Sequence, residues 1–187
     1  MACPDQNRPA VYWTEDVQIL SGLEPVRRRP AMYIGSTDAR GLFFILFELV
    51  TNSLAECVAG YGRSVRVTLH ADGSAEVADD GRTLPDDIAV EHVFAVIGPG
   101  HGGYRPYPGG RDYLPYTIAN ALSERLRVAV RSDGCLYQHI FRRGVTHAAV
   151  QTGGPPGDRG LTVAFRPDPL IFGDARFDSD AIRARLR

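Results

Sequence analysis

The stretch GLFFILFELVTNSLAECVAGY, residues 41–61, decides the fold. Its apolar residues recur at three- and four-residue spacing, and Gly60 and Gly62 close it, so the pattern predicts a buried helix. Within it Glu48, Asn52 and Glu56 follow one another at intervals of four, which lines up two carboxylates and a carboxamide on one face. Taken alone, such a stripe reads as the wetted face of an amphipathic helix. Its chemical reading is a carboxylate that polarises a water, with a carboxamide one turn along as a hard oxygen ligand for Mg²⁺.

Working outward, segments 65–70 and 75–78 alternate around Ala71-Asp72-Gly73-Ser74, a hairpin signal. The second strand runs directly into Asp79-Asp80-Gly81-Arg82. Asp and Gly are common where strands end, so a simple turn accounts for the run. A functional reading also fits: a carboxylate at a strand end accepts a hydrogen bond from a base edge, and the glycine admits the ligand to the backbone. Upstream, Val17, Leu20, Leu23 and Val26 have helical spacing that stops before Pro30. Downstream, 86–97 and 116–124 read as helices and 178–186 as a short terminal helix. Segments 125–130, 135–142, 145–150 and 160–166 read as strands of an antiparallel meander. Between Ile97 and Tyr116, residues 98–115 are crowded with glycine and proline. Loops of that length in a compact domain are commonly functional. The expected architecture is an α+β two-layer sandwich with helices on one face of a mainly antiparallel mixed sheet. Residues 1–16 read as an arm and 17–187 as a single domain.

The 187 residues are 44% apolar and 23% charged, close to an average soluble domain and enough for a sizeable core. Reading the sequence alone, no apolar run approaches the ~18 residues of a membrane span. The first twenty residues contain Glu15 and Asp16 and lack a signal-peptide pattern. Cys3, Cys57 and Cys135 are too widely spaced for a disulfide framework or a metal knuckle, so a reducing cytoplasm is expected. All 21 basic residues are arginine. Phosphate chemistry must therefore use Arg, backbone N–H groups or a metal, with no Lys to help. A net charge of −1 argues against nucleic acid as a partner, and the arginines at 27–29 and 125–131 are local clusters at most.

In order and spacing, QILSGLEPVRRRPAMYIGSTD (18–38), FELVTNSLAEC (47–57) and VTLHADGSAEVADDGRTLP (67–85) resemble the N-terminal ATPase domain of DNA gyrase B and topoisomerase IV. These belong to the GHKL class. The likeness continues more weakly through NALSERL (120–126) and 160–165. It implies the Bergerat fold, with ATP held between helices and sheet. By the same resemblance Glu48 matches the general base, Asn52 the Mg²⁺ ligand, and Asp79 the acceptor of the adenine amino hydrogen. Gly81 matches the glycine that leaves room for the base and Arg82 the arginine beside the pocket, with Glu56 nearby, while Pro85 and Ile97 line the base site. Tyr12 and Val17 match an arm that reaches across a homodimer to the partner's nucleotide.

The sequence departs from the family at the lid. Where the family carries a glycine-rich run that cradles phosphates, this chain has Gly109-Gly110-Arg111-Asp112-Tyr113-Leu114-Pro115. Pro115 has no N–H, Tyr113 adds bulk and Asp112 adds negative charge, although Arg105 or Arg111 supplies some positive charge. Thr51 stands in for a family aspartate. Leu161 replaces a threonine beside the base, with Thr162 one place away. The transducer and strand-passage domains do not fit in this length. From these departures the foremost expectation is a repurposed pocket that binds a small molecule, with Glu48 as acid or base in an isomerase- or cyclase-type reaction of specialised metabolism. The alternative is an ATP- or ADP-binding module, a residual ATPase domain using Mg²⁺. A third is a decoy that binds gyrase inhibitors.

Overall fold

A computed structural model describes residues 20–84, 89–97 and 113–186. The elements run α1 (Glu24–Arg28), α2 (Ala31–Ile34), α3 (Ala39–Val58), β1 (Val65–Leu69), β2 (Ala75–Asp79), α4 (Val90–Ala95) and α5 (Leu114–Ala121). They continue with β3 (Ser123–Ser132), β4 (Cys135–Arg142), β5 (Val145–Gly153), β6 (Gly160–Pro167), α6 (Pro169–Phe172) and α7 (Ser179–Arg185). The six strands form one sheet in the order β1-β2-β6-β3-β4-β5, and all of its pairings are antiparallel. No parallel pair appears among the described residues, and the α+β architecture with a mainly antiparallel sheet is the one expected.

Local chemistry sets the boundaries. Asp38 caps α3, its Oδ1 accepting from the Arg40 amide at 2.9 Å. Gly22 has φ +57°, a left-handed conformation that helix cannot continue through, so α1 begins only at Glu24, later than the spacing from Val17 suggested. Helix α5 starts two residues earlier than expected and stops at Ala121, where Ser123 enters β3. Two β-hairpins are closed by left-handed pairs, Asp133-Gly134 (φ 50° and 73°) and Arg143-Gly144 (φ 49° and 86°). These are the mirror-image turns whose twist matches that of the strands.

The core lies between α3, α5 and the sheet. Leu42, Leu46, Leu49 and Val50 of α3 bury with Val77, Leu126, Val128, Val163 and Phe165. Phe94 of α4 packs on Tyr116 and Phe141, ring centroids 5.1 and 5.8 Å away. Helix α3 is long and apolar enough to cross a membrane by length and composition, contrary to the sequence expectation, but half of it is buried in this core.

A buried ion cluster fastens the far end of β6. Asp168, fully buried, accepts from Arg27 Nη2 at 2.6 Å, Arg143 Nε at 2.9 Å and the Leu170 amide at 3.1 Å. Burial is the largest single influence and raises its pKa. The hydrogen bonds from Arg27, Arg143 and Leu170 together outweigh it, so the carboxyl sits below its usual value. A depressed folded-state pKa contributes stability above the unfolded value of about 3.9, and that contribution is lost as pH falls through the folded-state value. Asp168→Ala leaves two guanidinium groups without their shared acceptor and lowers stability by about 3 kcal/mol, a melting-temperature drop on the order of 10 °C. Calorimetry from pH 7 down to pH 3 reads both effects, and the variant loses less stability on acidification than the wild type.

Candidate functional site

Helix α3 lies against β2, and that packing brings the helix stripe to the strand end. Asn52 and Glu56 are 4% and 1% exposed and Glu48 is half-buried, so the stripe is not a wetted face. Asp79, the last residue of β2, is 4% exposed. Its Oδ2 accepts from Ser53 Oγ at 2.7 Å and its Oδ1 from the Gly81 amide at 3.0 Å. Two donors from two different elements fix the orientation of this carboxylate. Ionised carboxylates offer about four acceptor positions, so a group held in this way can also accept from a donor on a ligand.

Glu56 holds the loop after β2. Its carboxylate accepts from Arg82 Nε at 2.9 Å, Arg82 Nη2 at 3.0 Å and the Arg82 amide at 3.2 Å. The Arg82 guanidinium also lies over the Tyr61 ring, 3.5 Å from its centroid. This two-pronged pairing positions the arginine while neutralising the buried acid. Close packing explains Gly81: a Cβ there meets Glu56 Cβ at 2.8 Å and Asp79 Oδ1 at 3.2 Å. Asp80 turns outward and accepts from the amides of Arg63 and Ser64, which hold its carboxyl below the usual range.

On the neighbouring strand the register decides which residue faces the cleft. Ala78 pairs with Thr162, so Leu161, 2% exposed, shares the face of Asp79, and Thr162 stands on the opposite face. Thr162, one place from the threonine position beside the base, therefore faces away from the Asp79 carboxylate. Its hydroxyl accepts from Arg131 Nη1 at 2.7 Å, and Arg131 Nη2 donates to the Asp79 carbonyl at 2.9 Å. Gly160, φ +132°, lets this carbonyl approach: a Cβ there falls 2.0 Å from the Asp79 oxygen.

Ile97 follows α4 and is half-buried against the core, and Tyr113 occupies the N-cap of α5. The amides of Tyr116 and Thr117 donate to the Tyr113 carbonyl at 3.1 and 3.2 Å, and Pro115 sits in the first turn. Tyr12, Val17, Pro85, Arg105, Arg111 and Asp112 lie outside the described residues. Among the described residues no group of three or more His, Cys, Asp or Glu is placed to hold a metal.

The structure thus packs two hydrogen-bonded pairs, Asp79 with Gly81 and Glu56 with Arg82, side by side at Gly81. It adds Ser53, Arg131 and Gly160, which the sequence did not single out. Ser53 carried a weak signal, a hydroxyl beside Asn52 on the buried side of the helix.

The fold and the strand-end carboxylate beneath a polar helix stripe define a GHKL-class domain of the Bergerat type. Within that class the chain is similar to the N-terminal ATPase domain of the B subunits of DNA gyrase and topoisomerase IV. It is 44% identical over 189 residues to the gyrase B subunit of Thermotoga maritima, covering 94% of this chain and 29% of that protein. The type 2 topoisomerase B subunit of Aquifex aeolicus is 41% identical, across 96% of this chain and 24% of its own length. The DNA topoisomerase 4 B subunit of Staphylococcus aureus is 38% identical, across 97% and 29%. The 43K ATPase domain of Thermus thermophilus gyrase B, solved with an aminocoumarin, superposes with a TM-score of 0.75 at 38% identity, over 88% of this chain and 44% of that one. The chain thus spans less than a third of the length of these curated relatives. No family model matches it.

Proposed function

We propose that this chain is an adenine-nucleotide-binding module of the gyrase B kind, with strong recognition of the base and a weakened hold on the phosphates. The observation that carries this reading is Asp79. It is a buried carboxylate at a strand end, one oxygen held by the Ser53 hydroxyl and the other by the Gly81 amide. Such a group suits an exocyclic amine. Glu48 serves as general base toward a water and Asn52 contributes an oxygen to Mg²⁺, together with the phosphates and water. When bound, the ion supplies charge neutralisation at those phosphates.

The weakened hold on phosphates lies at the start of α5. Pro115 has no N–H, and the Tyr116 amide turns back to the Tyr113 carbonyl, so two of the usual first-turn donors are not offered to an anion. Hydrogen bonds to charged groups contribute roughly 1.5–3 kcal/mol each, so losing two of them weakens a triphosphate by orders of magnitude. ATP hydrolysis is accordingly very slow.

The catalytic-pocket reading in specialised metabolism has no observation in its favour. The nucleotide reading has the Asp79 cradle and relatives that are topoisomerase B subunits. Inhibitor binding retains one support, the aminocoumarin in the Thermus structure. A thermal-shift series with ATP, ADP, adenosine and an aminocoumarin, each with and without Mg²⁺, separates these readings. ADP and adenosine raise the melting temperature by similar amounts, and Mg²⁺ adds little. A shift with the aminocoumarin alone favours the decoy, and no shift with any adenine compound removes the nucleotide reading.

A further inference from the structure

The two edges of the sheet are unlike. At one edge β1 is five residues long and carries Arg66. At the other edge β5 runs nine residues, VTHAAVQTG, with no acidic residue, arginine or proline, and His147 is its only titratable side chain. Long uncharged edges are what proteins ordinarily avoid, because their unpaired amides and carbonyls accept another strand. The one irregularity, a bulge at Ile140/Phe141, sits near the Arg143-Gly144 turn and leaves the remainder of β5 regular.

Ladder parity tells which groups of β5 face outward. The Arg143-Gly144 turn is closed by the bonded pair Arg142↔Val145, and the Asp133-Gly134 turn by Ser132↔Cys135. Counting from either turn gives the same answer: Ala148, Val150 and Thr152 exchange hydrogen bonds with β4, and the N–H and C=O groups of Ala149 and Gln151 point away from the sheet. Both residues are exposed, and among the described residues no strand pairs with this edge.

We infer that β5 is a self-pairing edge, and that its occupant is the β5 strand of a second copy of this chain, running antiparallel across a two-fold axis. Three features select a second copy. The strand has no fixed charge to oppose its own image, and the whole chain carries only −1. An antiparallel register that sets Ala149 opposite Gln151 makes both outward-facing residues bonded pairs. The same register centres Val150, 54% exposed, on the Val150 of the other copy, at the close spacing of a non-bonded pair. This interface is separate from any pairing through residues 1–16.

The test combines sedimentation equilibrium with residue-resolved hydrogen exchange on the full chain. The wild type shows concentration-dependent dimers. Its Ala149 and Gln151 amides are protected at high but not low concentration, and those of Ala148, Val150 and Thr152 at both. Ala149→Pro removes an N–H that the monomer does not use, so the monomer keeps its melting temperature while the dimer weakens at least about tenfold. Ala149→Lys, which strains no backbone, does the same by placing a charge on the edge. A chain that stays monomeric throughout overturns the inference. So does a dimer that survives both variants with fast-exchanging Ala149 and Gln151 amides, since it pairs elsewhere.

Discussion

Asp79→Asn binds adenosine and ADP about ten- to a hundredfold more weakly than the wild type. The carboxylate offers acceptors only, and Ser53 and Gly81 hold it in place. Asparagine fits the same space but turns half of that group into a donor. With its oxygen kept on the Gly81 amide, the amide nitrogen takes the position facing Ser53, whose hydroxyl can accept from it, and turns its other hydrogen toward the ligand's amine. The substitution is near-isosteric and leaves the core intact, so the melting temperature of the ligand-free protein changes little. Titration calorimetry on both proteins reads the affinity ratio. Equal affinities mean that this carboxylate is scaffold and that the base site lies elsewhere or is no longer used.

Glu48→Gln separates binding from chemistry. The side chain keeps its size and loses its capacity to take a proton, so ADP affinity stays within a few-fold of the wild type. Whatever slow triphosphate hydrolysis the chain supports falls by ~10²–10⁴-fold, the usual loss for a general base. Single-turnover hydrolysis at high enzyme concentration is the suitable assay, because it resolves rates too slow for steady-state turnover. A wild type that hydrolyses ATP rapidly contradicts the account of the α5 start. Hydrolysis unchanged in Glu48→Gln contradicts the role given to this residue.

Much of the architecture was legible in the residues because it rests on period. Helix α3 announces itself by its apolar spacing, and the β1–β2 and later hairpins by alternation and by glycine at positions that need positive φ. The short helices were harder. Helices α1, α2 and α6 are each a turn or so long, set by neighbouring proline and glycine more than by any pattern. At the site, the helix stripe stood out as polar groups in apolar surroundings, and Asp79 by its place at a strand end. Ser53 did not, since its role exists only once β2 lies under α3. Arg131 was one arginine in an alternating run, and nothing local marks it as the one that grips the Asp79 carbonyl. The choice between Leu161 and Thr162 turns on a single step of strand parity, which inverts the face of every side chain and which only the pairing with β2 resolves.

The central claim is that Asp79 reads an exocyclic amine, and the most direct measurement is a calorimetric titration of ADP and GDP side by side. The two ligands share their phosphates and sugar, so the comparison cancels the weakened phosphate end. At the position that meets Asp79, adenine presents an amine and guanine a carbonyl, which sets acceptor against acceptor in a buried site. The account predicts that ADP binds at least about tenfold more tightly than GDP, with the difference lost in Asp79→Asn. Equal affinity for the two diphosphates, or tighter binding of GDP, contradicts it.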